Sequence, residues 1–216
     1  MFDFSQTIQH LSIVAIPFIF GITCHEVAHG YVSYLLGDPT AKNAGRLTLN
    51  PLKHLDPLGT LTLILTRMIG WAKPVPINPA YYRNPRRDIL YVSLAGPMAN
   101  FGVMLLFAVI LKLLALAARN PGAASWAYFL YPAINIAMAG IFINAILGVF
   151  NLLPIPPLDG SKILACLLPP SLGASFMRLE PYGFLILLAF AVAGILEWVL
   201  SPVSDFVRTS IVNPLL

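Results

Sequence analysis

The sequence predicts an α-helical polytopic membrane protein with about four firm transmembrane helices and up to six embedded segments. A small extended or β edge element is expected on the cytoplasmic side. Three observations predict this class. Of the 216 residues, 58% are hydrophobic and 10% charged, whereas a soluble domain carries roughly 25% charged residues. The mean hydropathy is +0.79. The uncharged runs are long, 23 residues over Ile89–Leu111 and 39 over Asn120–Leu158, and about 20 helical residues cross a bilayer core. A water-soluble fold of this length has too little interior to hide so much apolar surface. Disordered, collagen-like and disulfide-scaffold readings fail on the same numbers.

The elements follow in order. A first helix is expected over Ile8–Leu36, with Gly37 as its stop, Asp38-Pro39 beyond it and a kink at Pro17. Met1–Thr7 carries no basic residue, so a signal peptide is not expected. Between Asp38 and Pro79 the texture changes to Gly, Pro, Asn and Thr. Gly45–Leu49 and Trp71–Ile77 read as short strands or extended segments there, and Pro74, Pro76 and Pro79 confine the second to an edge. Further spans are expected over Ile89–Leu116, Trp126–Asn151 and Pro181–Leu196, the last extendable to Leu200. Two weaker apolar runs, Pro57–Thr66 and Ile163–Met177, read as re-entrant or interfacial. No repeat or low-complexity tract interrupts the chain, which reads as one intramembrane core over residues 1–216.

The net charge of +4 does not point to nucleic acid, because eight of the 13 basic residues fall between Lys42 and Arg87. Positive charge gathered beside spans marks the cytoplasmic face. The first helix therefore enters from outside, and the Arg119–Ser125 loop lies outside. Lys162 and Arg178 return to the cytoplasm before the last span exits. Cys24 and Cys166 sit in separate apolar segments and are expected to remain free.

The chemistry concentrates in His25-Glu26-Val27-Ala28-His29. On a helix, residues i and i+4 share a face, so both imidazoles reach one Zn²⁺, and Glu26 reaches its water as general base. The cluster follows an apolar run in which ionisable groups are costly and functional by default. His25 lies roughly 25 Å along the helix from Ile8 and roughly 16 Å from Leu36, which puts the metal in the cytoplasmic half of the bilayer. A catalytic zinc needs a third protein ligand. Asp159 is the strongest candidate: it follows three prolines in Asn151–Gly160 that force the backbone to turn at membrane depth. Its alternative reading is an N-cap for Ser161–Leu168. His54, Asp56, Glu180 and Glu197 are weaker candidates, His54 reading as an interfacial polar residue.

Taken with Gly96-Pro97-Met98-Ala99-Asn100 and Leu158-Asp159-Gly160, the His-Glu-x-x-His helix resembles the site-2 protease family of intramembrane zinc metalloproteases. Gly45–Pro51 and Gly70–Pro79 are similar to its compact prokaryotic branch, and 216 residues leave no room for the PDZ or CBS domain that many relatives carry. The resemblance implies His25, His29 and Asp159 as ligands of one zinc per chain and Glu26 as the base. It also implies that Asn100 lies near the scissile carbonyl, donating to substrate backbone or to the oxyanion. The other reading of Asn100 is an interhelical hydrogen-bond partner, worth about 0.6 kcal/mol. The implied activity is cleavage of transmembrane segments near the cytoplasmic side, in a prokaryotic inner membrane. Val75, Ile77 and Asn78, on the proline-punctuated edge, are expected to dock the unwound substrate as an added strand, the other reading of the segment being an interfacial loop that shields the site. The expected partners are a transmembrane protein substrate and the lipid bilayer, and the oligomeric state is left open. Two alternatives stand beside this reading. One is a membrane zinc protease that processes prenylated C-termini, with Glu180 or Glu197 as third ligand. The other is a metal-ion carrier, for which paired broken helices are expected.

Overall fold

The computed structural model describes residues 4–59 and 72–216. Helix α1 runs over Phe4–Leu35, with Pro17 inside it. It stops where expected. Gly37 takes φ +107°, and the Gly37 and Asp38 N–H groups donate back to the carbonyls of Tyr34 and Ser33, both at 3.1 Å. A single turn, α2, follows at Thr40–Asn43. Helix α3, Pro85–Ala118, starts with proline in its first turn, and the Asn84 N–H donates to Asp88 Oδ2 at 3.0 Å. Helix α4 spans Ala127–Leu152. Four short helices follow, α5 (Asp159–Leu167), α6 (Pro170–Met177), α7 (Gly183–Val192) and α8 (Ile195–Phe206), and a π-helical stretch at Val207–Val212 and a last turn at Asn213–Leu215 continue from α8.

Among the described residues four helical stretches are long and apolar enough to cross a membrane: Leu11–Leu35, Pro85–Ala118, Gly122–Leu152 and Pro170–Val192. Helices α1, α3 and α4 pack against one another. Their core joins Val103, Phe107 and Leu111 of α3 to Ala137, Ile141 and Ala145 of α4. In lipid there is little hydrophobic gain from joining two apolar helices, so close approach of backbones decides the contact. A Cβ at Gly140 would lie 2.4 Å from the Phe107 ring, so the ring occupies the space that glycine leaves. Leu105, Val109 and Leu113 on the outer face of α3 are exposed, as suits side chains that meet lipid.

Three expectations need correction. The last span does not run through Pro181–Leu196. Its helix ends at Val192, Gly194 takes φ +73°, and α8 starts afresh at Ile195. The apolar stretch begins earlier, at Pro170, because Pro169-Pro170 divides the expected Ile163–Met177 segment into the end of α5 and the start of α6. Gly45–Leu49 forms no strand: Gly45 has φ +64° and the segment turns toward a short 3₁₀ helix at Pro51–Lys53. The edge element is extended over 73–78, and among the described residues one antiparallel bridge, between Leu55 and Ala72, lies beside it. The weaker run Pro57–Thr66 from residue 60 onward, and Trp71, lie outside the described residues.

Candidate metal centre

Helix α1 carries His25 and His29 one turn apart, and the turn after α4 brings Asp159 to the same point. His29 Nε2 is 3.0 Å from His25 Nε2 and 3.0 Å from Asp159 Oδ2. His25 Nε2 is 3.1 Å from the same carboxylate oxygen. All three side chains are buried. These separations fit a zinc ligand set, since bonds of 2.0–2.1 Å in a tetrahedron set ligand atoms about 3.3–3.4 Å apart. Asp159 does not act as the N-cap of α5: it is the first helical residue, and Leu158 occupies the cap without a side-chain bond. Gly160 contributes by close approach. A Cβ there would stand 2.2 Å from the Leu152 carbonyl, so the Asp159 turn lies flat on the end of α4.

The outer hydrogen bonds assign the imidazole tautomers. His29 Nδ1 lies 2.7 Å from the Val92 carbonyl, which only accepts, so Nδ1 carries the proton and Nε2 is free for a metal. His25 Nδ1 lies 2.7 Å from Asn100 Oδ1. The Asn100 amide is oriented by its other contacts. Its Nδ2 donates to the Gly21 carbonyl at 3.2 Å and to Asn144 Oδ1 at 3.1 Å, and Asn144 in turn donates to the Gly140 carbonyl at 2.9 Å. Backbone acceptors at Gly21 and Gly140 therefore leave Asn100 Oδ1 facing His25, whose Nε2 is freed in the same way.

Asn100 is thus engaged inside the helix bundle. It is fully buried, its donors are engaged by α1 and α4, and its acceptor holds a histidine. The rest of its motif surrounds the same site. A Cβ at Gly96 would fall 2.4 Å from His29 Nε2 and 2.6 Å from His25 Nε2, so only glycine keeps the imidazole tips clear. Pro97 has no N–H for the carbonyl of Ser93, next to the Val92 carbonyl that holds His29.

Glu26 sits half-buried beside the histidines, and its Oε2 accepts the Val75 N–H at 2.9 Å. That bond engages the Val75 donor. Asn78 is engaged as well, its N–H donating to Asp38 Oδ2 at 2.7 Å. Carboxylates remote in sequence thus take the donors that an isolated edge would leave open. Ile77, the remaining residue, lines the cavity. This cavity, of about 620 Å³, is bounded by His25, Glu26, His29 and Asp159 on one side and by Val75 and Ile77 on another.

The weaker candidates do not join the centre. Among the described residues the metal-capable group is His25, His29 and Asp159. His54 is fully buried, and its Nε2 lies 2.8 Å from the Thr48 carbonyl. Asp56 accepts the Gly59 N–H at 2.8 Å. Glu180 lines the cavity without entering the group. Sequence reasoning missed the carbonyl of Val92, the relay role of Asn144, and Arg46. Arg46 is 6% exposed and donates to the carbonyls of Lys73 and Pro74.

Residues 130–193 match the family model of Peptidase family M50. The chain is similar to "Putative zinc metalloprotease YwhC" of Bacillus subtilis (strain 168), 42% identical over 200 residues that cover 93% of this chain and 89% of that protein. It is also similar to "Putative zinc metalloprotease Rip2" of Mycolicibacterium smegmatis, 31% identical over 204 residues, 89% of this chain and 74% of that protein. An archaeal "Putative zinc metalloprotease MJ0611", from Methanocaldococcus jannaschii, is 36% identical over 73 residues, 34% of this chain and 31% of that protein. No solved structure matches the chain.

Proposed function

From the chain's membership of Peptidase family M50, the site-2 type of zinc metalloprotease, we propose that it cuts transmembrane segments of other membrane proteins near their cytoplasmic ends. It is an integral membrane metallopeptidase that uses Zn²⁺. The observation that carries the finer reading is the convergence of His25, His29 and Asp159 at 3.0–3.1 Å beside Glu26, on a membrane-spanning helix. Neither alternative has such support: no later glutamate joins the histidines among the described residues, and the family is one of peptidases.

In this reading His25, His29 and Asp159 hold the zinc. A zinc so held supplies Lewis acidity toward the scissile carbonyl and brings the pKa of a bound water to near 7. Glu26 accepts the proton of the attacking water and returns it to the leaving amine. Val75 N–H fixes one of its carboxylate oxygens, and the other is left to carry the proton. Asn100 and the Val92 carbonyl hold the imidazoles in the tautomer that binds metal. The substrate enters the cavity unwound, because a regular helix shields its peptide bonds. Ile77 and the Val75 carbonyl offer the backbone groups that an extended segment can pair with. The basic loops around Lys42 and Arg83–Arg87 support a cytoplasmic setting for this end of the bundle, in a prokaryotic inner membrane.

The test is to incubate detergent-purified protein with a panel of single-span membrane proteins and map the cuts by mass spectrometry. Cuts inside the span, toward its cytoplasmic end and absent with Glu26→Gln, are expected. Cuts only in soluble tails overturn the reading.

A further inference from the structure

We propose that Arg46 is a positioning residue for Glu26, acting through the single peptide group that joins Pro74 to Val75. The inference rests on the reading of Glu26 as the base and extends it to a residue outside the cavity. Arg46 is buried, at 6% exposure. Its Nη2 donates to the Lys73 carbonyl at 2.6 Å and its Nη1 to the Pro74 carbonyl at 3.3 Å. The Pro74 carbonyl and the Val75 N–H belong to one planar peptide group and point in opposite directions. That group accepts from the guanidinium on one side and donates to Glu26 Oε2 at 2.9 Å on the other.

Two consequences follow from this geometry. The guanidinium is a rigid fork, and gripping two successive carbonyls sets the rotation of the peptide plane as well as its position. The Val75 N–H is thereby aimed at one carboxylate oxygen of Glu26. Hydrogen bonds in a chain also polarise one another, so a charged donor at one end strengthens the bond at the other. Among the described residues no carboxylate pairs directly with Arg46; the nearest anionic group along its hydrogen bonds is Glu26, one peptide away. The flanking anchors do not duplicate this function. Lys73 N–H donates to the His54 carbonyl at 2.8 Å and Asn78 N–H to Asp38 at 2.7 Å, which hold the segment's ends and do not touch the Pro74 carbonyl or the Val75 N–H.

The experiment compares Arg46→Ala and Arg46→Lys with the unaltered protein in detergent. Four quantities are read: zinc content, kcat, KM on a transmembrane peptide, and hydrogen exchange of the Val75 amide. Arg46→Ala is expected to keep its zinc and its KM within about twofold, while kcat falls about 10–100-fold, the range for loss of an outer hydrogen-bond partner. Val75 exchange should accelerate in step with the loss of kcat. Arg46→Lys keeps a charged donor without the fork and should fall between, in both kcat and exchange. If the alanine variant does not fold, the lysine variant alone decides by the same coupling. A fall in kcat with Val75 exchange unchanged, or no change in either, overturns the inference. Glu26→Gln separates the two readings. Turnover retained in that variant overturns the base itself, whereas a dead Glu26→Gln beside inert Arg46 variants overturns only the role of Arg46.

Discussion

The Nδ1 atom of His25 lies 2.7 Å from Oδ1 of Asn100, across the contact between two membrane helices. The bond makes Asn100 part of the metal site's support, because an imidazole held at Nδ1 presents Nε2 to a metal without a rotamer search. Asn100 is held in turn by Gly21 on α1 and Asn144 on α4, so three helices must be in register before His25 is set.

Asn100→Ala discriminates this role from oxyanion binding. Removing an outer partner lowers metal affinity about 10–100-fold. Removing an oxyanion donor lowers kcat about 10²–10³-fold and leaves the metal in place. Chelator competition with the purified variant should show weakened zinc retention. Unchanged affinity with depressed kcat would return Asn100 to the substrate side.

Gly96→Ala should be more severe than its size suggests. The new methyl group would stand 2.4 Å from His29 Nε2, and both histidine tips would have to retreat. Overpacking of a tight core costs about 1–3 kcal/mol, and here the displaced atoms are the metal-facing nitrogens. Elemental analysis should find little zinc in a protein that still inserts and folds. A full complement of zinc would mean that α3 shifts away from α1 without consequence.

The residues that hold the metal and the residue that moves the proton should separate cleanly. His25→Ala, His29→Ala and Asp159→Asn are expected to lose most of the zinc, about one per chain in the unaltered protein. Glu26→Gln should keep it and lose about 10²–10⁴-fold in rate, the usual range for a general base. Zinc retained in Asp159→Asn would remove the carboxylate from the ligand set.

How far the sequence reading reached follows from which interactions are local. The convergence of the histidine pair was legible because both imidazoles sit one turn apart on one helix, and that of Asp159 because prolines break the backbone before it. The direction in which Asn100 points was not, since it depends on how α3 is rotated against α1, 75 residues away. The prolines of 74–79 correctly implied an extended segment. They carried no sign that Glu26 and Asp38 take its donors, because those acceptors arrive from another helix and its C-terminal turn. The break at Gly194 escaped notice because a single glycine inside an apolar run is compatible with a continuous membrane helix.

Orientation has its own test. Arg83, Arg86 and Arg87 precede or open α3, and Arg119 follows its far end. If the positive side is cytoplasmic, a cysteine replacing Asn84 should be labelled from the cytoplasm and one replacing Gly122 from the other side. The background lacks Cys24 and Cys166. Labelling of both from one side would move the metal to the opposite leaflet.

The last prediction concerns acid stability. Asp38, beyond the end of α1, is fully buried and accepts from Asn78 N–H at 2.7 Å, Ser33 Oγ at 2.9 Å, Thr40 N–H at 2.9 Å and the Thr40 hydroxyl. Burial alone would raise its pKa, but the bonds from Asn78, Thr40 and Ser33 outweigh it and hold the carboxyl below the ordinary value of 3.8. A depressed folded-state pKa means that the unfolded chain binds the proton first as pH falls. Asp38 therefore stabilises the fold fully above the unfolded value, and that contribution fades as pH drops below 3.8 toward the folded pKa. Thermal unfolding in detergent should show this decline for the unaltered protein. Asp38→Asn should lower stability at neutral pH by about 1–3 kcal/mol, because an amide cannot accept at both positions. It should also remove this residue's share of the acid sensitivity. Asp38→Ala removes both acceptor oxygens, including the one that holds Asn78 N–H, so the 73–78 segment should exchange its amides faster in that variant at neutral pH. If Asp38→Asn keeps both the stability and the acid profile of the unaltered protein, Asp38 does not anchor the segment that carries the Val75–Glu26 bond.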